Sequence, residues 1–196
     1  MIRQLYYQFL VYRSIVYPFL VVSAIVVPCW LAFRVYRHRA RAQRFSFARE
    51  LLLLVTVVYF CGLAAATLEP NHNSRLLVED TTGVELRPDL TVLTCSSASL
   101  TPGSKERHFC MYNAKGNFLL FLPLGLLIPL VWRRRSFGKS ILIAITVSVT
   151  IEIIQFISRI WGSYRAVDIN DVILNTLGAC LGLIVMSLLL RLRRAR

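Results

Sequence analysis

Five long runs of mostly apolar, nearly uncharged residues divide this sequence and constrain its fold more than any other feature. The runs cover residues 14–33, 51–68, 116–132, 140–158 and 172–190. About 18 apolar residues in a helix cross the ~30 Å hydrocarbon core of a bilayer. Backbone polar groups in that core must be satisfied within the chain, which favours helices. We therefore predict an all-α, polytopic membrane protein with five transmembrane helices.

The distribution of basic residues among the links between these runs predicts the orientation of the chain. Residues 34–49 carry six arginines, residues 133–139 carry three arginines and one lysine, and the tail after residue 190 carries four arginines. The two intervening links balance acidic and basic residues. The positive-inside rule then places the N-terminus outside and the C-terminus in the cytoplasm. We interpret the net charge of +13 as this signal, with anionic lipid rather than nucleic acid as the partner.

The predicted spans divide the chain into two parts. Residues 1–50 form the first transmembrane helix and a basic cytoplasmic linker, and residues 51–196 form the main membrane domain. Within that domain the polar segment of about 70–115 is one sizeable extracellular loop, with weak strand signals at 84–86 and 90–94.

Two cysteines, Cys95 and Cys110, lie in the predicted extracellular loop. An oxidising exterior permits a disulfide between them. Two free thiols are an equal alternative, because the sequence alone does not give the distance between the two residues.

Polar residues within or beside the spans gather towards the predicted outer side. They are Asn117, Glu152, Gln155, Arg165, Asp168, Asp171 and Asn175. Glu152 lies roughly 20 Å from the cytoplasmic start of its helix. An ionised carboxylate at that depth is costly unless it is paired, protonated or hydrated.

The fifth run begins with a second group of polar residues. Asp168, Asp171 and Asn175 are spaced at i, i+3 and i+7, which places them on one helical face. Capping of the helix N-terminus explains Asp168 alone, but Asn175 lies deeper and needs a partner in hydrocarbon. The whole set predicts a polar pocket open to the outside or the outer leaflet. The alternative is a set of hydrogen bonds and ion pairs that only joins the helices.

Four residues within the spans have a structural interpretation. Pro123 should bend the third helix, and Gly125 lets a neighbouring helix approach. Gly178 and Gly182 form a G-x-x-x-G face, which is typical of close helix packing and would also permit a homo-oligomer. We assign no chemistry to these residues.

Three motifs carry a resemblance to a known family. They are NFLLFLPLG at 117–125, EIIQF at 152–156 and RAVDINDVILNTLG at 165–178, with Gly182 following and TLEP at 67–70 preceding them. In this order and spacing they resemble the VanZ-like family of bacterial membrane proteins, from about residue 51 to the C-terminus. The resemblance implies a bacterial cell membrane protein, linked in the founding member of the family to teicoplanin resistance. It implies no established reaction.

Two hypotheses for function follow. The first is an envelope protein that binds a lipid-linked cell-wall precursor, an anionic envelope polymer or a lipoglycopeptide at the outer face. The second is an intramembrane hydrolase or transferase that acts on a lipid-phosphate substrate through Glu152, Asp168 and Asp171. No nucleophile stands beside a base, and the G-x-S-x-G, H-E-x-x-H and P-loop patterns are absent. We therefore favour binding and expect no catalytic residue, metal or cofactor.

Overall fold

The helices of this protein match the predicted spans. A computed structural model of the chain describes residues 2–41, 46–68, 84–89, 91, 95, 103–132, 136–158, 160 and 167–195. The long elements within these ranges are α1 (Ile2–Arg41), α2 (Phe47–Leu68), α3 (Lys105–Val131), α4 (Phe137–Ser158) and α5 (Ile169–Ala195), with the short strands β1 (Val84–Glu85) and β2 (Val167–Asp168). Among the described residues, five helices are long and apolar enough to cross a membrane. This confirms an all-α polytopic membrane protein.

Several helices extend past the ends of their apolar runs. Helix α3 begins at Lys105, eleven residues before the predicted span that starts at residue 116. The Ser104 hydroxyl caps it by accepting a hydrogen bond from the backbone N–H of Arg107 at 3.1 Å. A serine N-cap stabilises a helix start whether or not the first turn is apolar. The loop is therefore shorter than hydropathy indicates, and polar residues supply the first turn of α3.

The chain divides into two compact units, residues 1–69 and 70–196. Helix α2 thus groups with α1 in the first unit, and the predicted domain division after residue 50 stays a prediction. Near the end of α1, Arg34 Nε donates to Glu50 Oε2 at 2.8 Å, and a second guanidinium nitrogen of Arg34 contacts Oε1. Oε1 also lies 3.1 Å from His38 Nε2. This cluster joins α1 to the first turn of α2.

The second unit is built on direct backbone contact between α3 and α5. A Cβ atom added to Gly178 would lie 2.0 Å from the carbonyl oxygen of Phe118, and one added to Gly182 would lie 2.2 Å from that of Leu122. At Gly125 a Cβ would similarly meet the α5 backbone at 2.0 Å. Residue numbers rise together along this contact, so α3 and α5 run parallel. We call it the glycine seam.

A small extramembrane part is tied to the helices of the second unit at several points. Strand β1 pairs in parallel with β2, with Val84 opposite Val167. Cys95 and Cys110 form a disulfide with their Cα atoms 5.9 Å apart, within the usual range. Strand β1 falls on the first weak strand signal, 84–86. The second signal, 90–94, lies outside the described residues except for Thr91, which is not in a strand.

Candidate functional site: a buried polar cluster beside the glycine seam

One face of α4 carries polar residues that are buried within the second unit. Ser148, Glu152 and Gln155 are 0%, 7% and 6% exposed, whereas Ile153 and Phe156 between and beside them are exposed. Spacings of three and four residues place the three polar side chains on the same side of the helix. The amphipathic pattern is therefore inverted relative to a helix in water, because lipid covers the apolar face and protein covers the polar one.

Glu152 begins a continuous hydrogen-bonded chain that leads to the start of α5. The backbone N–H of Asp168 donates to Glu152 Oε2 at 3.3 Å. Asp168 Oδ1 accepts from both the backbone N–H and the side-chain amide of Asn170, each at 2.8 Å. Asn170 Oδ1 in turn accepts from the backbone N–H of Asp89 at 3.0 Å. The network joins α4, the N-terminus of α5 and the segment after β1.

A contact between α4 and α5 themselves lies one helical turn along α4 from Glu152. Asn175 Nδ2 donates to Ser148 Oγ at 2.9 Å, and both side chains are buried. From the first pair to the second, the residue number falls along α4 from 152 to 148 and rises from 168 to 175 into α5. Helix α4 is therefore antiparallel to α5. The start of α3, the end of α4 and the start of α5 thus lie at one end of the second unit, which we call the polar end.

The structure places the predicted site residues in different ways. Glu152 and Asp168 are in direct contact, and Gln155 is buried one turn beyond Glu152. Asp171 is half-buried in the first turn of α5, and Asn117 is half-buried on α3. Arg165 lies outside the described residues.

Three residues of this site were not identified from the sequence. Ser148 is one turn before Glu152 on the same face, so helical periodicity could have found it. Asn170 is 1% exposed, but it falls off the i, i+3, i+7 pattern of its neighbours, so helical periodicity gives no signal for it. Asp89 contributes only its backbone N–H, for which no side-chain pattern exists.

The contacts within the site are hydrogen bonds among side chains and backbone groups. Among the described residues, no group of three or more His, Cys, Asp or Glu side chains could hold a metal ion. The carboxylates of Glu152 and Asp168 both accept hydrogen bonds that fix the start of α5. The remaining polar atoms of the cluster are amides and a hydroxyl, which orient ligands without charge.

Comparison with known proteins identifies a family and one similar relative. The family model described as VanZ/LLP1 matches residues 47–190, which include the glycine seam and the whole polar cluster and exclude α1. The protein named "Protein VanZ" from Enterococcus faecium is 38% identical over 87 residues, covering 44% of this chain and 50% of that protein. The chain therefore matches half the length of this relative. No solved structure matches the chain.

Proposed function

Because the chain belongs to the VanZ/LLP1 family, we propose that it is a bacterial envelope protein that binds a lipophilic or lipid-linked molecule and lowers susceptibility to teicoplanin. The observation that carries the proposal is the burial of Glu152 and Gln155 at one end of the second unit. Ionisable residues inside a membrane are costly and are characteristic of functional sites. The polar end of the second unit is the proposed binding region.

The polar end is proposed to face the outside of the cell. Its helix ends connect to links with balanced charge, whereas the opposite ends of α3, α4 and α5 adjoin arginine-rich segments at 133–139 and after residue 190. Basic residues of short links are retained in the cytoplasm. This orientation gives the site access to molecules on the outer leaflet, and it places the Cys95–Cys110 disulfide in an oxidising compartment.

The residue types of the polar end define the ligands that it would accept. Arg165 precedes Asp168 by three residues and would pair with a phosphate or carboxylate. Gln155 and the asparagines would hydrogen-bond to sugar or peptide groups. A lipid-linked cell-wall precursor, an anionic envelope polymer and a lipoglycopeptide all present such groups beside an apolar or charged part.

Binding is proposed in preference to hydrolysis or group transfer. A general acid or base must reach the proton that it transfers. Glu152 and Asp168 are instead hydrogen-bonded to the backbone around the start of α5. Their contacts support a role in shaping the site.

Drug susceptibility tests this proposal directly. A bacterial strain that lacks its own family member would receive the wild-type chain, Glu152→Gln or Asp171→Asn, at equal expression. Glu85→Gln serves as a matched control, because Glu85 is an exposed carboxylate outside the cluster. Wild type and Glu85→Gln are expected to raise the teicoplanin concentration that stops growth, and the two cluster variants are expected to lose most of that effect. Equal protection by all four chains, or by none, would contradict the proposal.

A further inference from the structure

Two amide atoms beside the glycine seam are buried without a hydrogen-bond partner. Asn175 is 3% exposed, and its Nδ2 donates to Ser148, but its Oδ1 accepts no hydrogen bond in the part of the chain that the structure describes. Asn117 Nδ2 on α3 is likewise buried and donates to none of the described residues. Unsatisfied polar groups cost free energy in any protein interior, and surrounding hydrocarbon supplies no water to relieve them.

The two asparagines lie at similar depth on helices that touch each other. Asn117 immediately precedes Phe118, whose carbonyl faces Gly178 across the seam. Asn175 lies three residues, less than one turn, before Gly178. Both are therefore within about one turn of the same contact. Asn117 offers an unused donor and Asn175 an unused acceptor.

We infer that Asn117 and Asn175 form a neutral subsite, which binds an uncharged ligand group that both donates and accepts a hydrogen bond. A hydroxyl or a carboxamide has this property, whereas a phosphate or carboxylate offers no donor when ionised. Glu152 lies one turn from Ser148, the partner of Asn175, on the same face of α4, and its carboxylate further disfavours an anionic group. The inference rests on the proposed function and narrows it to ligands with sugar hydroxyls or peptide amides.

This chemistry also predicts selectivity. A site that is built to hydrogen-bond a hydroxyl or amide rejects an analogue without that group, because the protein atoms are then left unpaired. Sugar hydroxyls and peptide amides occur both in lipid-linked wall precursors and in glycopeptide antibiotics, so both sources of the group must be tested.

The test uses the full chain in lipid nanodiscs with two probes. One probe is teicoplanin, and the other is a disaccharide-pentapeptide linked to undecaprenyl diphosphate. Variants Asn117→Leu and Asn175→Leu remove the amides at similar side-chain size. Asn113→Leu is the matched control, since Asn113 is exposed one turn before Asn117 on the same helix. Affinity is measured by calorimetry, and the thermal unfolding midpoint is measured without ligand.

The expected result separates binding from structural support. Each amide variant should lower the affinity for at least one probe about tenfold, the usual effect of one lost hydrogen bond. Asn117→Leu should leave the unfolding midpoint unchanged or raise it, because it removes a buried donor that has no partner. Asn113→Leu should change neither quantity. The probe that loses affinity identifies the source of the hydroxyl or amide group.

Two other outcomes overturn the inference in distinguishable ways. If the wild type binds a probe, Glu152→Gln abolishes binding and both amide variants bind normally, the subsite is wrong and the proposed function stands. A lowered midpoint for Asn117→Leu with unchanged affinity leads to the same conclusion, since the amide would then only support the fold. If the wild type binds neither probe, the subsite and the proposed function both fail.

Discussion

Helices α3 and α5 and helices α1 and α2 are joined by different means. Along the glycine seam, the backbones of α3 and α5 approach so closely that no side chain fits at Gly125, Gly178 or Gly182. In the first unit, Arg34 and His38 of α1 contact Glu50 of α2. None of the most apolar stretch of α1 is buried, against 33% of the corresponding stretch of α5. One contact extends over several turns, whereas the other concentrates its polar bonds at one end.

The lipid environment explains the difference between the glycine seam and the Arg34–Glu50 contact. Lipid tails are as apolar as leucine, so helices in a membrane gain little by hiding apolar side chains from lipid. Close backbone packing supplies many van der Waals contacts and fixes the relative position of two helices. A single ion pair fixes only its own neighbourhood. The extended contact belongs to the unit that holds the polar cluster, and it lies inside the family match, which excludes α1.

The largest effect is expected from a methyl group placed in the glycine seam. In Gly178→Ala the new Cβ would lie 2.0 Å from the carbonyl oxygen of Phe118, so that α3 and α5 must separate. Overpacking typically costs about 1–3 kcal/mol, and a clash with backbone should reach or exceed the upper end. We expect a much lower thermal midpoint in detergent, or loss of folded protein, by fluorescence-detected size-exclusion chromatography.

Gly116→Ala on α3 is the matched control for the seam variant. A Cβ at Gly116 would meet no atom of the described residues within 4 Å beyond its own stretch of helix, and alanine is the better helix former by about 1 kcal/mol. This variant should be as stable as the wild type or more so. Similar losses in both variants would show that α3 tolerates no glycine replacement and that the close approach at Gly178 is not the cause.

Hydropathy predicts the five spans because it shows which helix residues can lie in lipid. For the same reason it does not predict the polar ends of helices or the pairing of strands. The start of α3 at Lys105 depends on a hydrogen bond from Arg107 to Ser104, which does not change hydropathy. The continuation of α1 to Arg41 is likewise polar. Residues 84–86 carry a weak strand signal, but nothing local indicates that Val84 pairs with Val167, because two-residue strands far apart in sequence give no shared periodic pattern.

Helical periodicity predicts which residues of the candidate site share a face of one helix. It does not predict which residues of a neighbouring helix they contact. The shared face of Glu152 and Gln155 follows from a three-residue spacing. The bond between Asn175 and Ser148 depends on the register of α4 against α5, which the sequence does not reveal. The pairing of Arg34 with Glu50 has the same cause. From the sequence alone, Arg34 is only one of the arginines of the topology signal.

The disulfide tests whether the seam alone maintains the second unit. Cys95 and Cys110 close a loop with a sequence separation of 15 residues, for which a chain-entropy estimate gives about 3 kcal/mol of stabilisation. The double variant Cys95→Ser/Cys110→Ser should lose up to this amount, measured as a lower thermal midpoint. If the seam is sufficient, teicoplanin protection should still be detectable at reduced temperature. Complete loss of folded protein at all temperatures would show instead that the extramembrane part is essential to the unit.

The smallest effect is expected in the first unit, where Glu50→Gln removes the negative charge and one of the two acceptor oxygens that contact Arg34 and His38. Hydrogen bonds to charged groups contribute about 1.5–3 kcal/mol, and the Arg34 and Glu50 side chains are only 16% and 15% exposed, so we expect a loss of about 2 kcal/mol. The loss should be confined to the contact of α1 with α2. Oxidative cross-linking reports on this contact, because a Cβ at Gly62 would lie 3.8 Å from the Phe19 ring. Cysteines at those two positions, in a chain without other free thiols, should cross-link more slowly in Glu50→Gln.

Two controls separate the pairing of these residues from their effect on topology. Arg49→Gln changes an exposed charge next to Glu50 and should leave the cross-linking rate nearly unchanged. The double exchange Arg34→Glu/Glu50→Arg keeps the net charge of the segment and should recover part of the rate that Glu50→Gln loses. If the double variant cross-links as slowly as Glu50→Gln, then opposite charges are not enough, and the arginine must be on α1 and the glutamate on α2. If Glu50→Gln cross-links at the wild-type rate, apolar packing alone holds α1 against α2. The two helix pairs would then differ only in how much surface they pack together, and not in the kind of contact that joins them.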